Sequence, residues 1–128
     1  MLALKLSTDF EHNEAHKMRR LNGLAPGLSP TIHESGIYNT RPYILMDYIK
    51  GDTYKKYCKA NICDDVNHIG CEKIKQLHTY VGILHNDLHE KNVLIGNDGI
   101  PHILDFSRAT FDNMYGNTNL DSKLFGCY

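Results

Sequence analysis

HNDLHEKNVLIGNDGIPHILDFS, residues 85–107, sets two acidic side chains and one amide at fixed intervals: Asp87, then Asn92 five residues later, then Asp105 thirteen beyond that. Between Asn92 and Asp105, Val93-Leu94-Ile95 and His102-Ile103-Leu104 are short strand-like runs. They are separated by Gly96-Asn97-Asp98-Gly99, a composition that favours a hairpin turn. A hairpin there returns Asp105 to Asn92. Asp and Asn are ordinary loop residues singly, and Phe106 alone reads as core. Together they are specific: at about 5% usage per residue type, matching His85, Asp87, Asn92, Asp105 and Phe106 at fixed spacing is on the order of one in a million per start position.

The spacing resembles the protein kinase superfamily, including its small-molecule branch, in which an H-R-D-L-x-x-x-N loop precedes D-F-G. The resemblance implies an α+β, kinase-like fold with a reduced sheet-bearing N-lobe and a truncated, mostly helical C-lobe. It also implies ATP and Mg²⁺ as cofactors. Asp105 and the amide oxygen of Asn92 then hold the metal, and Asp87 orients the acceptor hydroxyl for in-line attack. Two departures accompany the match. Asn86 stands where regulated kinases carry an Arg that meets a phosphorylated activation loop, so no such switch is expected. Ser107 replaces the Gly of D-F-G, which stiffens the turn without deleting a ligand.

Upstream, Leu2-Ala3-Leu4-Lys5-Leu6 resembles the V-A-I-K strand, giving Lys5 the α- and β-phosphates. The next segment reads as a helix, with Thr8 and Glu11 as a capping box, Ala15, Met18 and Leu21 along one face, and Gly23 and Pro26 as stop signals. Glu14 matches the helix Glu that pairs with the Lys, and Glu11, one turn earlier, competes for that part. Leu24-Ala25-Pro26 followed by residues 31–36 resembles the corresponding stretch of aminoglycoside and choline phosphotransferases and small atypical kinases. Residues 41–51, RPYILMDYIKG, are similar to the strand and hinge that read adenine, with Met46 as gatekeeper and Asp47, Tyr48 and Ile49 as hinge; one buried strand satisfies the same pattern. Two helix-like segments follow, 52–59 with Tyr54, Tyr57 and Cys58 in register, and 67–81 with Ile74, Leu77 and Val81 on one stripe and the core or boundary residue His78 beside it.

With 128 residues the chain reads as a single minimal or partial kinase-like domain: 1–46 N-lobe part, 47–51 hinge, 52–128 partial C-lobe. No G-x-G-x-x-G loop precedes Lys5 and no A-P-E motif follows Asp105. A compact kinase, a fragment and a degenerate copy are all consistent with this. Accordingly, the leading function is Mg-ATP-dependent phosphoryl transfer to a hydroxyl, foremost protein Ser/Thr. Its alternatives are a pseudokinase or fragment acting by nucleotide or protein binding, and a small-molecule kinase of the aminoglycoside or choline type.

Fourteen Lys plus Arg against fifteen Asp plus Glu give a formal charge of −1 with no basic stripe, which argues against nucleic acid as principal partner. Apolar runs are too short to span a bilayer and the start does not make a signal peptide, so no membrane partner and a cytoplasmic location are expected, host cytoplasm included for a viral or effector source. Cys58, Cys63, Cys71 and Cys127 lack C-x-x-C spacing, so reduced thiols rather than a zinc site are expected. The tail after Arg108, with Asn113, Gly116, Asn117 and Asn119, reads as a polar, loosely ordered loop in the place of an activation segment.

Overall fold

The computed structural model describes residues 1–6, 13–111 and 121–127. Among the described residues the fold is α+β, with two small sheets, three α-helices and one π-helical turn. Strand β1 (Leu2–Leu6), helix α1 (Glu14–Leu24), β2 (Ile32–Tyr38) and β3 (Arg41–Asp47) build the first unit, an antiparallel sheet of order β1-β3-β2 against which α1 packs. β2 and β3 are joined by the two-residue turn Asn39-Thr40, both at positive φ (47° and 65°), the backbone of a tight hairpin whose twist matches its strands. α1 buries Met18 and Leu21, the stripe read from the sequence. Its N-cap position is held by Asn13 at φ 42°, and the helix starts at Glu14; the Thr8–Glu11 capping box lies outside the described residues.

The second unit opens with β4 (Gly51–Thr53), α2 (Tyr54–Ala60) and α3 (Asp64–Gln76), which runs on into a π-helical turn over Leu77–Val81. Strands β5 (Val93–Gly96) and β6 (Pro101–Ile103) close an antiparallel sheet of order β4-β5-β6. The helix expected over 52–59 thus begins two residues later. Asp52 and Thr53 pair with Ile95 and Leu94, and the Thr53 hydroxyl caps α2 by accepting from the Lys56 N–H at 3.2 Å. Gly51 is needed where it stands, since a Cβ there would lie 2.0 Å from the Ile95 carbonyl oxygen. The hairpin β5–β6 follows the predicted runs, with Gly99 at φ 78° in its turn.

Two expectations are corrected. The cysteines are not free thiols: Cys58 pairs with Cys63 and Cys71 with Cys127, at Cα separations of 5.7 and 5.5 Å, both within disulfide reach. Spacing could not reveal this, because residue 127 meets α3 only after the chain has folded back. Nor is the tail loose where it is described. Ala109, Asp121 and Phe125 are all buried, Phe125 packing edge-on to Tyr54. Asn113, Gly116, Asn117 and Asn119 lie outside the described residues. The core to which both units contribute includes Leu21 of α1, Ile44 of β3, Ile74 of α3, Leu77 and Val81 of the π turn, and Val93, Ile95, Ile103 and Phe106 around the hairpin. Among the described residues, no helix is long and apolar enough to cross a membrane.

Candidate functional site

Strand alternation turns Lys5 inward between exposed Leu4 and Leu6. Its Nζ donates to Glu14 Oε1 at 2.7 Å and to Asp105 Oδ1 at 3.2 Å. Glu14, buried in the first turn of α1 where the helix dipole favours a carboxylate, accepts the Phe106 N–H on Oε2 at 2.7 Å. One carboxylate therefore ties β1, α1 and the segment after β6 together across one hundred residues of sequence. Burial alone would pull the Lys5 pKa down. The hydrogen bond and charge of Glu14, joined by those of Asp105, outweigh it and hold the ammonium above the ordinary lysine value.

Asp105 sits at φ 58°, a left-handed conformation that places its carboxylate beside Lys5 while Phe106 drops into the core. Burial pushes its pKa up, but the Ser107 hydroxyl at 2.7 Å, the Lys5 charge and hydrogen bond, and the Ser107 N–H bring it below the usual value. Asn92 is brought to the same place by the hairpin, since Leu104 N–H donates to its carbonyl at 2.8 Å. Its side-chain Nδ2 donates to the Asp87 carbonyl at 2.8 Å and lies 3.5 Å from Asp87 Oδ2. That leaves the Asn92 amide oxygen and Asp105 Oδ2 without a donor among the described residues. Lys5, Glu14, Met46, Asn92 and Asp105 line one cavity of about 260 Å³. Asp87 lines a separate groove of about 520 Å³, together with His89 and Lys123.

The loop carrying Asp87 is pinned from behind. His85 is fully buried, its Nε2 2.7 Å from the Leu104 carbonyl and its Nδ1 accepting the Asp87 N–H at 3.2 Å, which requires the Nε2–H tautomer. Its ring meets Phe106 edge-on at 5.0 Å. Asn86, at φ 68°, donates its side-chain amide to the Arg108 carbonyl and the Thr110 hydroxyl, so it stitches the loop to the segment beyond Phe106 through short neutral bonds. Asp121 was not singled out from the sequence. Fully buried, it accepts the His85 and Asn86 N–H groups at 2.8 and 3.0 Å and lies 2.8 Å from His78 Nε2. Burial raises its pKa; His78 and the two N–H donors more than reverse this. The only sequence signal was an acidic residue just before the apolar pair Leu124-Phe125, in a tail whose other residues read as loop.

Of the three residues read as hinge, Asp47 ends β3, donates its N–H to the Thr31 carbonyl and binds His33 through its carboxylate. Tyr48 is exposed and donates its N–H to the Met1 carbonyl at 3.2 Å. The N–H of Ile49 has no partner among the described residues. Thus the structure brings Lys5, Glu14, Asn92 and Asp105 to one cavity wall, sets Asp87 against Asn92, and leaves Asp47, Tyr48 and Ile49 on the strand end that follows Met46.

Compared with known proteins, the chain is similar to probable serine/threonine-protein kinases PknB. It is 29% identical over 108 residues to that of Bifidobacterium longum, a match covering 75% of this chain and 16% of the relative. Against that of Lactococcus lactis subsp. lactis it is 29% identical over 122 residues, covering 85% of this chain and 19% of the relative. The chain therefore spans less than a fifth of the length of these curated relatives. No protein-family model matches it. A distant, kinase-like relationship is what the comparisons support.

Proposed function

We propose that this chain is an ATP-dependent phosphotransferase that moves a γ-phosphoryl group to a hydroxyl, with protein Ser/Thr as the first acceptor class. The observation that carries the reading is the Lys5–Glu14–Asp105 network, with Glu14 also fixed to the Phe106 N–H. Residues 1–46 act as the reduced N-lobe part, 47–51 as hinge and 52–128 as the partial C-lobe. The similarity to probable serine/threonine-protein kinases supports the acceptor class.

The donor set fits a hard cation. Among the described residues, one carboxylate oxygen of Asp105 and the amide oxygen of Asn92 have no donor, and Mg²⁺ takes few protein ligands, completing its shell with phosphates and water. When bound, the ion neutralises the charge that develops on the transferring phosphoryl group. Lys5, kept protonated and immobile by Glu14, presents a fixed cation to the nucleotide phosphates. Ile49 offers a backbone N–H and Met46 an apolar wall to the purine. Asp87, steadied by Asn92 and by the Asp87 N–H bond to His85, accepts a hydrogen bond from the acceptor hydroxyl and turns its oxygen toward the phosphorus.

Binding is tested by ATP-dependent thermal stabilisation of the chain with and without Mg²⁺. Wild type is expected to gain several degrees only when both are present, since nucleotide at about 100 times its Kd adds ~2.7 kcal/mol. Lys5→Met is expected to lose most of that gain, read against its own ligand-free melting temperature, which falls because the buried Glu14 carboxylate loses its cation. Stabilisation that is indifferent to Mg²⁺ and to Lys5 would overturn the assignment of the cavity.

A further inference from the structure

Ser107 is the residue at which the sequence leaves the D-F-G pattern, and its side chain is aimed at the Asp105 carboxylate: Ser107 Oγ donates to Asp105 Oδ1 at 2.7 Å and its N–H approaches the same oxygen at 3.3 Å. Lys5 Nζ occupies that oxygen as well, at 3.2 Å. Three donors thus converge on Oδ1, while Oδ2 has none among the described residues. The terminal torsion of an Asp is broad and nearly two-fold, so a carboxylate held by one backbone N–H alone can exchange its oxygens. A hydroxyl at charge-assisted distance removes that freedom. Ser107 is itself anchored, because Lys17 Nζ donates to its carbonyl at 3.1 Å and the preceding Phe106 is fully buried.

We infer that Ser107 is a positioning residue for the metal: its hydroxyl fixes the rotation of Asp105 so that Oδ2 alone faces the cation, with Oδ1 reserved for Lys5. The inference rests on the phosphotransferase reading above and adds to it a residue that glycine could not replace in this chain. Partners that orient a ligating carboxylate set metal affinity as well as geometry. The hydroxyl therefore makes the cation bind more tightly, and it does so without touching nucleotide or acceptor.

The test is a Mg²⁺ titration of the ATP-saturated chain, read as the midpoint of thermal stabilisation and, independently, as Mn²⁺ binding by electron paramagnetic resonance; neither needs turnover. Ser107→Ala and Ser107→Gly are expected to raise the Mg²⁺ midpoint about 10-fold, each read against the variant's own ligand-free melting temperature, which falls with the lost hydrogen bond. Ser107→Thr, which keeps the hydroxyl, is expected to stay near the wild-type midpoint. Wild-type midpoints in both the Ala and Gly variants, or tighter binding in either, would overturn the inference while leaving the kinase reading intact. No Mg²⁺ midpoint in the wild type, matched by an unaltered Asp105→Asn, would overturn both.

Discussion

Asp121 shows what a single buried carboxylate does when every partner is a donor. It holds the backbone of His85 and Asn86, and through them the position of Asp87. Asp121→Asn would turn an amide N–H₂ toward one of those donors, and leaving a buried donor unmatched costs about 1–3 kcal/mol. Urea unfolding at pH 7 measures it. The pH dependence has a defined sign: the folded pKa of Asp121 is depressed, so its contribution is fully present above the ordinary value of 3.8 and is lost as pH falls through the lower folded value. Asp105 is depressed too and adds in the same sense. Stability should therefore decline below about pH 4, and less steeply in Asp121→Asn than in wild type; identical slopes would remove Asp121 from the account.

At the scale of elements, α3 is the platform on which the C-terminal segment rests. A Cβ at Gly70 would lie 2.6 Å from the buried ring of Phe125, four residues beyond Asp121. Gly70→Ala gains about 1 kcal/mol of helix propensity, yet overpacking a filled site typically costs about 1–3 kcal/mol. A net loss of stability is expected, accompanied by faster amide exchange at His85 and Asn86. A stabilised variant would mean the ring moves freely. The elements differ in how legible they were. The β5–β6 hairpin carried its own turn residues, and α1 and α3 their apolar stripes, so local pattern sufficed. The β2–β3 hairpin was hidden because its turn, Asn39-Thr40, uses a β-branched residue at positive φ, which no turn preference anticipates. The Asp52–Thr53 part of β4 was read as helix, and Gly51 as the end of the hinge, because these residues acquire their strand partners only from Ile95, Leu94 and Gly96, far along the chain.

Across the whole molecule, the contacts that sequence could not disclose are those closing long loops. Lys5 with Glu14 was named through the resemblance; Asp121 with His85, and Cys71 with Cys127, were not, since nothing in a polar tail announces where it docks. The Cys71–Cys127 bridge spans 56 residues and fastens the segment that carries Asp121 to α3. Replacing both cysteines by serine should lower stability by about 2–4 kcal/mol, measured by denaturant unfolding. The same change at Cys58 and Cys63, which close a loop of 5, should cost less, because a short loop constrains the unfolded chain less. Equal losses would show that the long bridge does not act through loop closure.

The central claim is that the cluster of Lys5, Glu14, Asn92 and Asp105, with Asp87 facing the acceptor, transfers phosphate. The most direct measurement is transfer of radiolabelled γ-phosphate from ATP to a generic protein substrate by the purified chain with Mg²⁺, alongside Asp87→Asn and Asp105→Asn. The account predicts transfer by the wild type, a fall of about 10²–10⁴-fold in Asp87→Asn with nucleotide stabilisation retained, and no metal-dependent transfer in Asp105→Asn. Equal transfer by all three proteins, or none by the wild type even with Mg-ATP bound, would contradict it.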